Sequence, residues 1–525
     1  MSGSPDDRRR ESTTLPRERG AGEAARAANR PYIAALLEML HDAGERTVLR
    51  HEGRDVSGSA LLGAVHRYGR VLDQLGVGHG DLVALYAPNR PESLVVRYAT
   101  HLLGAASVYL SAPPDPAIRA RMLVDFDPRL VVVFPQTAHL LPQTSAPIVA
   151  VGPVNGVETR LDVLAADQAS GPLHPRARQH DLAVVVSSGG TTGVPKGSVR
   201  DFATWTASVR APHRPERRQL ANGPLAYLTQ ILIDQTLLGA GTVVLDDDTT
   251  AAATLTAIEQ ERITDLFLVE PQLVDLVDHP DLAERDLRSL RTLTHIGASA
   301  PPTLRRRAYE RLGPRLAHTY GASEMGIVSA ASPAAYDRDG FTGAGPIVPG
   351  VEVRFRRTDT SLDPTVGRVE VRSPTVAQGY RHRPVDAAAN FVDGWYRTGD
   401  LGRLDDAGCL HVLGRAVDCE DLDGALVSPT SLEDTLCRLP PVRYAVAVCD
   451  LDRPRRILAT LGWPGRSVDP RACIDAIRVE HGASVADTVI VVPLTRMPLT
   501  EQGKPDRSTI RRLAAARAAP RGREA

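Results

Sequence analysis

Lysine is nearly missing from this chain of 525 residues: Lys196 and Lys504 stand alone against sixty arginines. Abundant arginine and alanine with little lysine fits GC-rich coding, which accounts for the scarcity but not for where the two survivors stand. A strong net charge is missing too. At a formal charge of -1 the chain has no basic field of the kind that tracks nucleic acid or anionic lipid, so neither is expected as a partner. No apolar run approaches the roughly eighteen residues of a membrane-spanning helix. The first thirty residues, "MSGSPDDRRRESTTLPRERGAGEAARAANR", are charged and nearly free of large apolar groups. They read as a disordered tail and lack the apolar core of a signal peptide. Cysteine is scarce and late: Cys409, Cys419, Cys437, Cys449 and Cys473 form no C-x-x-C pair and match no metal framework. An odd count without a leader fits reduced thiols in a cytoplasm.

What is present is a globular composition, 42% hydrophobic and 24% charged, in a chain too long for one ordinary core. From about residue 31 helical patterns alternate with short apolar strands. "SALLGAVHRYGRVLDQLGV" carries apolar residues at three-to-four spacing, and "GDLVALYAPN" follows as a strand ending in a turn. "PRLVVVFP" and "GTVVLDDDTTAAATLTAIEQERITDLFLVEPQLVDLV" continue the cycle. Strands that read as continuous apolar runs between helices predict an α/β fold with parallel sheets covered on both faces. Near residue 340 the texture becomes antiparallel ("GVEVRFRR", "GRVEVRS", "GCLHVLG"), and after Arg415 a small α+β domain is expected. The boundary falls near residues 415 to 418.

Four stretches carry chemistry. In "VVVSSGGTTGVPKGS" a strand feeds a loop of small residues whose backbone N–H groups can approach an anion, with Thr191 and Thr192 as hydroxyl donors, Gly193 in the loop, and Lys196 as a mobile charge. The spacing is not that of a P-loop. In "LAHTYGASEMG", Tyr320 offers a flat face for a base, Gly321 a close backbone approach, and Glu324 a hard oxygen ligand for Mg²⁺. "WYRTGDLGRLDDAGCLHVLGR" sets Asp400 after a glycine turn and Arg415 at the boundary, a carboxylate suited to ribose hydroxyls and a guanidinium suited to phosphate or ribose. Lys504 lies in a polar loop between Gly503 and Pro505.

In this order the four stretches resemble the adenylate-forming superfamily, which includes acyl-CoA synthetases, firefly luciferase and peptide-synthetase adenylation domains. The resemblance runs from about residue 31 to 515. It implies a large domain over 31–415, of stacked α/β sheets plus a distorted β-barrel-like part, holding the ATP and acid sites. A small mobile α+β domain would occupy 416–515, with 516–525 a tail. It further implies that Lys504 crosses to the acid and α-phosphate during adenylation, and that Lys196 attends the pyrophosphate with Thr191 and Thr192. Tyr320 would pack by adenine, Ser323 would meet the α-phosphate, Glu324 would bind Mg²⁺, and Asp400 would hold ribose with Arg415 nearby. "HIGASA" (His295, Gly297, Ala298 and Ser299 among its residues) would border the acid and adenine pockets, and Tyr227 would stand beside the acid. A compact ammonium on a flexible stem suits such transfers better than a planar guanidinium.

Three departures bear on the substrate and acceptor. Gly189 replaces the serine of most relatives, a feature of aryl-acid ligases, and favours an aromatic acid. Val417 occupies the hinge position, where relatives carry Asp or Lys and where β-branching narrows backbone freedom. Glu420, Asp421 and Asp423 stand where relatives are apolar or basic, and an acidic strip facing the tunnel would repel the phosphates of CoA. The expected reaction is ATP- and Mg²⁺-dependent adenylation of a small, aromatic carboxylic acid, then transfer to CoA or to the phosphopantetheine thiol of a carrier protein. A non-thiol acceptor such as an amine, an inorganic oxyacid such as nitrite, and a silent nucleotide-binding scaffold are the alternatives. A monomer or homodimer is expected.

Overall fold

A computed structural model describes residues 30–187, 194–226, 228–297, 301–332, 343–357, 365–422, 425–450 and 455–518. Two large sheets organise the N-terminal part. The first has eight strands in the spatial order Gly326–Ala331, Leu316–Ala322, Thr292–Ile296, Asp265–Leu268, Arg218–Ala221, Thr242–Leu245, Thr47–His51 and Arg54–Ser57. Its pairings are parallel except at the two edges. The second has six, Ile148–Ala150, Leu130–Val133, Leu82–Tyr86, Ala106–Tyr109, Leu182–Ser187 and Gly197–Asp201, antiparallel only at the last pair. Leu82–Tyr86, Ala106–Tyr109 and Leu130–Val133 are buried at every position. That is why they read as unbroken apolar runs: both faces are covered.

The largest core draws on the helices Tyr32–Ala43, Gly58–Gln74, Pro91–Leu102 and Thr229–Leu238 together with strands of both sheets. A fully buried ion pair lies inside it. Arg97 Nη1 and Nη2 donate to Asp234 Oδ1 and Oδ2 at 2.8 and 2.7 Å, and Tyr98 Oη and Trp205 Nε1 donate to the same carboxylate at 2.8 and 3.0 Å. A buried charge is tolerated only when paired and hydrogen-bonded, so this clamp fixes the helix Thr229–Leu238 in one position.

A five-stranded antiparallel sheet follows, built from Glu352–Arg356, Gly367–Arg372, Trp395–Leu404, Phe391–Val392 and Leu410–Arg415. The C-terminal part holds the two-stranded pair Glu420–Leu422 and Ala425–Val427 and the three-stranded sheet Val442–Cys449, Arg456–Gly462 and Val489–Leu494. The helices Pro429–Cys437, Pro470–His481 and Arg507–Ala518 accompany them. The last helix runs past residue 515, beyond the expected start of the tail, because Ile510 and Ala514 bury against the sheet and carry it on.

This part is docked on the first sheet's helices. Val274 and Leu304 pack with Tyr444, Val446, Met497 and Ile510. Around them Arg443 pairs with Asp275 and Asp278 at 2.7 and 2.9 Å, and Arg307 reaches Asp278 at 3.2 Å. Among the described residues no helix is long and apolar enough to cross a membrane. All five cysteines are free.

Candidate active site

The docked arrangement encloses a cavity of about 1520 Å³ between the two large sheets and the C-terminal part. Lys196, Gly297, Tyr320, Gly321, Ser323, Glu324, Asp400, Arg415, Val417 and Lys504 all line it. Thr191, Thr192, Gly193, Tyr227, Ala298 and Ser299 lie outside the described residues.

One wall comes from the hairpin of Leu316–Ala322 and Gly326–Ala331. A Cβ on Gly321 would stand 2.3 Å from the Gly326 carbonyl oxygen, so only glycine lets the two strands close there. Tyr320 Oη donates to Asp400 Oδ2 at 2.5 Å, and Arg415 Nε lies 3.3 Å from Asp400 Oδ1. Asp400 and Arg415 are direct cross-strand partners in the antiparallel sheet. Burial pushes the Asp400 carboxyl above the usual range, against the pull of Arg415. Tyr320 is held protonated by burial first and by Asp400 second.

Beside this trio, Ser323 Oγ donates to Glu324 Oε2 at 2.7 Å and Tyr380 Oη to Glu324 Oε1 at 3.2 Å. Arg200, which sequence reasoning missed, runs under the turn and donates to the Ser323 carbonyl at 2.5 Å and to the Thr375 carbonyl at 3.2 Å. Burial lowers its guanidinium to about 10, partly offset by Glu324, so it is cationic at neutral pH. Lys196 Nζ pairs with Asp386 Oδ1 at 2.6 Å and sits 5.2 Å from the centre of the Tyr380 ring. Lys196 and Glu324 thus share Tyr380.

Lys504 enters from the opposite side on a tight loop. Its carbonyl accepts from the Thr500 N–H at 2.7 Å, and Gly503, at φ +74°, makes the turn. The side chain lies along Gly297: a Cβ there would meet Lys504 Cε at 2.9 Å and Nζ at 3.2 Å. Burial lowers the ammonium from its usual value, Arg415 lowers it further, and Glu324 opposes both. Val417, the expected hinge residue, is 84% exposed in the turn after Arg415.

His295 departs from expectation. It does not line the cavity; it is fully buried and stacked on His318, with the two Nδ1 atoms 2.8 Å apart. Alternation along the strand Thr292–Ile296 turns it toward the helix Pro302–Leu312, where burial and Arg305 lower it to about 3. Of the acidic strip, Asp423 lies outside the described residues. Glu420 pairs with Arg456, and Asp418, outside the strip, lines the cavity and pairs with Arg507 at 2.8 Å.

These groups make two opposed sets, a Tyr–Asp–Arg cluster and a Ser–Glu turn on one side and a half-buried lysine on the other. Such a set can hold a nucleotide and direct positive charge at a reacting phosphate. A family model described as AMP-binding enzyme matches residues 38–381. The chain belongs to the AMP-binding enzyme family. It is an ATP-dependent adenylate-forming ligase.

The ligase is 29% identical over 508 residues to a medium/long-chain-fatty-acid–CoA ligase of Mycobacterium tuberculosis, covering 88% of each chain. It is 29% identical over 492 residues to an indoleacetate–CoA ligase of Aromatoleum aromaticum, covering 90% of this chain and 95% of that one. Among solved structures, the amide bond synthetase McbA from Marinactinospora thermotolerans matches with a TM-score of 0.81 at 30% identity, over 92% of this chain and 99% of that one.

A buried acid cluster at the docking surface of the ligase also escaped sequence reasoning. Tyr444 Oη donates to Glu270 Oε1 at 2.7 Å, and the Ala447 N–H donates to Glu433 Oε1 at 2.8 Å. Burial, reinforced by Glu270, pushes the Glu433 carboxyl up to about 8. A carboxyl raised on folding binds more protons folded than unfolded, so stability falls as pH rises from the ordinary glutamate range through about 8. Glu433→Gln keeps the acceptor for Ala447 and removes the charge. Its melting temperature should match wild type at pH 5 and exceed it at pH 8.5; parallel melting curves at both pH values would place the titration elsewhere.

Proposed function

We propose that the ligase activates a small aromatic carboxylic acid as its acyl-adenylate and passes the acyl group to a thiol. The supporting observation is the half-buried Lys504 ammonium on Gly297, facing Glu324, Asp400 and Arg415 in one cavity. In this reading Asp400 holds the ribose hydroxyls with Arg415, Tyr320 packs on the adenine, and Ser323 meets the α-phosphate. Lys504 bridges the acid carboxylate and the α-phosphate, and lowers the barrier by countering charge where it develops. Lys196, steadied by Asp386, attends the pyrophosphate leaving group with Thr191 and Thr192.

Among the described residues no cluster of three or more His, Cys, Asp or Glu could hold a metal by itself. A single carboxylate fits Mg²⁺ all the same, because that ion takes one or two protein oxygens and completes its shell with phosphate and water. Glu324 is the residue that would hold it, and bound Mg²⁺ would neutralise phosphate charge. The aromatic class is supported by Gly189 and by the likeness to an indoleacetate–CoA ligase. The small part beyond Arg415 then turns about Val417 to present the acceptor, CoA or a carrier-protein pantetheine.

An amine acceptor is the second reading, favoured by the 30% identity to an amide bond synthetase and by Asp418 on the cavity wall. Acid-dependent ATP–pyrophosphate exchange over benzoates, cinnamates, indole acids, fatty acids, amino acids and nitrite tests the first step. Exchange confined to aryl acids is expected; exchange with fatty acids alone would overturn the aromatic class. Mass spectrometry of the active acid with CoA, pantetheine or an amine then separates thioester from amide.

A further inference from the structure

The far end of the cavity carries buried polar atoms that the reaction above does not use. Thr229 is 1% exposed, lines the cavity, and its Oγ1 has no hydrogen-bond partner among the described residues. Gln230 beside it is equally buried, and neither its Oε1 nor its Nε2 is paired among the described residues. Thr319, 7% exposed, also lines the cavity, with its Oγ1 unpaired among the described residues. A buried polar group left without a partner is expensive, and such groups are rare in folded chains. Two of them, Thr229 and Gln230, open a helix that the Arg97–Asp234 clamp holds in place, so a small shift of that helix does not relieve them.

Position relates this spot to Lys504. Val269 marks the lysine end: it approaches within 3.7 Å of a Cβ placed on Gly297 and 3.2 Å of one on Gly503. Phe267 lies two residues back along the same extended segment and on the same face, roughly 6–7 Å deeper. Phe267 Cζ and Thr229 Oγ1 converge on one point, 3.0 and 3.1 Å from a Cβ on Gly223. Phe267 and Val269 thus line one side of the cavity that holds Lys504 and Thr229. The positive end of the helix Thr229–Leu238 at the same place favours an oxygen over an ammonium or an alkyl group.

We infer that the acid carries a hydroxyl group on its ring, remote from the carboxylate, and that Thr229 recognises it. This rests on the acid-activating reading above and narrows it. Thr229 Oγ1 donates to or accepts from the substrate hydroxyl, and Phe267 packs on the ring. An acid lacking the hydroxyl leaves Thr229 buried and unpaired, and a site built to pair a hydroxyl discriminates strongly against such an analogue.

The test compares hydroxylated acids with their unsubstituted parents in pyrophosphate exchange, using benzoate, cinnamate and indoleacetate with each of their monohydroxy derivatives. Wild-type enzyme and the Thr229→Val and Thr229→Ser variants are measured side by side. At least one hydroxylated acid should exceed its parent about tenfold or more in kcat/KM. Thr229→Val should collapse that ratio toward one, and Thr229→Ser should keep it. The ratio is taken within each variant, so partial loss of folded protein cancels. Parents and hydroxylated acids turned over alike, or a ratio unchanged in Thr229→Val, would overturn the inference and leave aryl-acid activation standing. Silence of the whole panel overturns both.

Discussion

Lys504→Ala is expected to lower acid-dependent adenylation by about 10²–10³ in kcat, with little change in melting temperature. The lysine is half-buried in a cavity lined by Glu324, Asp400 and Arg415, where a charge acts through few water molecules. Its long stem makes close contact with Gly297. Its removal takes away a cation aimed at the reacting groups but little buried apolar area. Lys504→Arg should recover little, because a planar guanidinium needs width where the ammonium already stands 3.2 Å from a Cβ position on Gly297. The same lysine sets the alkaline limb of the pH profile. Burial and Arg415 lower its pKa, so the charged form is lost, and adenylation falls, at a lower pH than for an exposed lysine. Pyrophosphate exchange measured from pH 6 to 10 reads this limb. A Lys504→Ala enzyme within about threefold of wild type would remove the lysine from the chemical step.

The residues legible in the sequence were those in glycine-punctuated motifs. Lys196, Glu324, Asp400, Arg415 and Lys504 are marked by their neighbours, and all of them face the cavity. Their partners are set by the tertiary fold and left no local mark. Asp386 lies 190 positions from Lys196, and Glu270 lies 174 from Tyr444. Arg200 sits on an edge strand in "GSVRD", one arginine among sixty. His295 misled because "HIGASA" was taken as a whole to border the pockets, whereas strand alternation turns His295 to the helix side and its neighbour Ile296 onto the cavity. Thr229 offered little signal, because it opens a helix, TQILIDQTLL, that mixes polar and apolar residues throughout. Parallel sheets were readable from unbroken apolar strands. Strand order was not: Thr47–His51 pairs with Thr242–Leu245 across nearly two hundred residues, and loop closure writes no pattern into either segment.

Gly297→Ala should be nearly as damaging as loss of the lysine. Gly297 sits at φ +93°, where a side chain costs about 1–3 kcal/mol of backbone strain. The new methyl would also stand 2.9 Å from Lys504 Cε, closer than carbon atoms tolerate, with Val269 Cγ1 only 3.7 Å away on another side. Val269 is packed and the lysine stem is flexible, so the lysine yields. A displacement of about 1 Å at a reacting centre costs roughly 10²-fold. Strain and displacement are separable, because Gly53 shares the backbone problem without the contact: it lies at φ +73° with nothing near its Cβ position. Gly53→Ala should lower the melting temperature by an amount comparable to Gly297→Ala while retaining pyrophosphate exchange. Gly297→Ala should lose about 10²-fold in exchange beyond any loss of folded protein. If both variants melt early and both keep their exchange activity, the contact between Gly297 and Lys504 does not belong to the adenylating state.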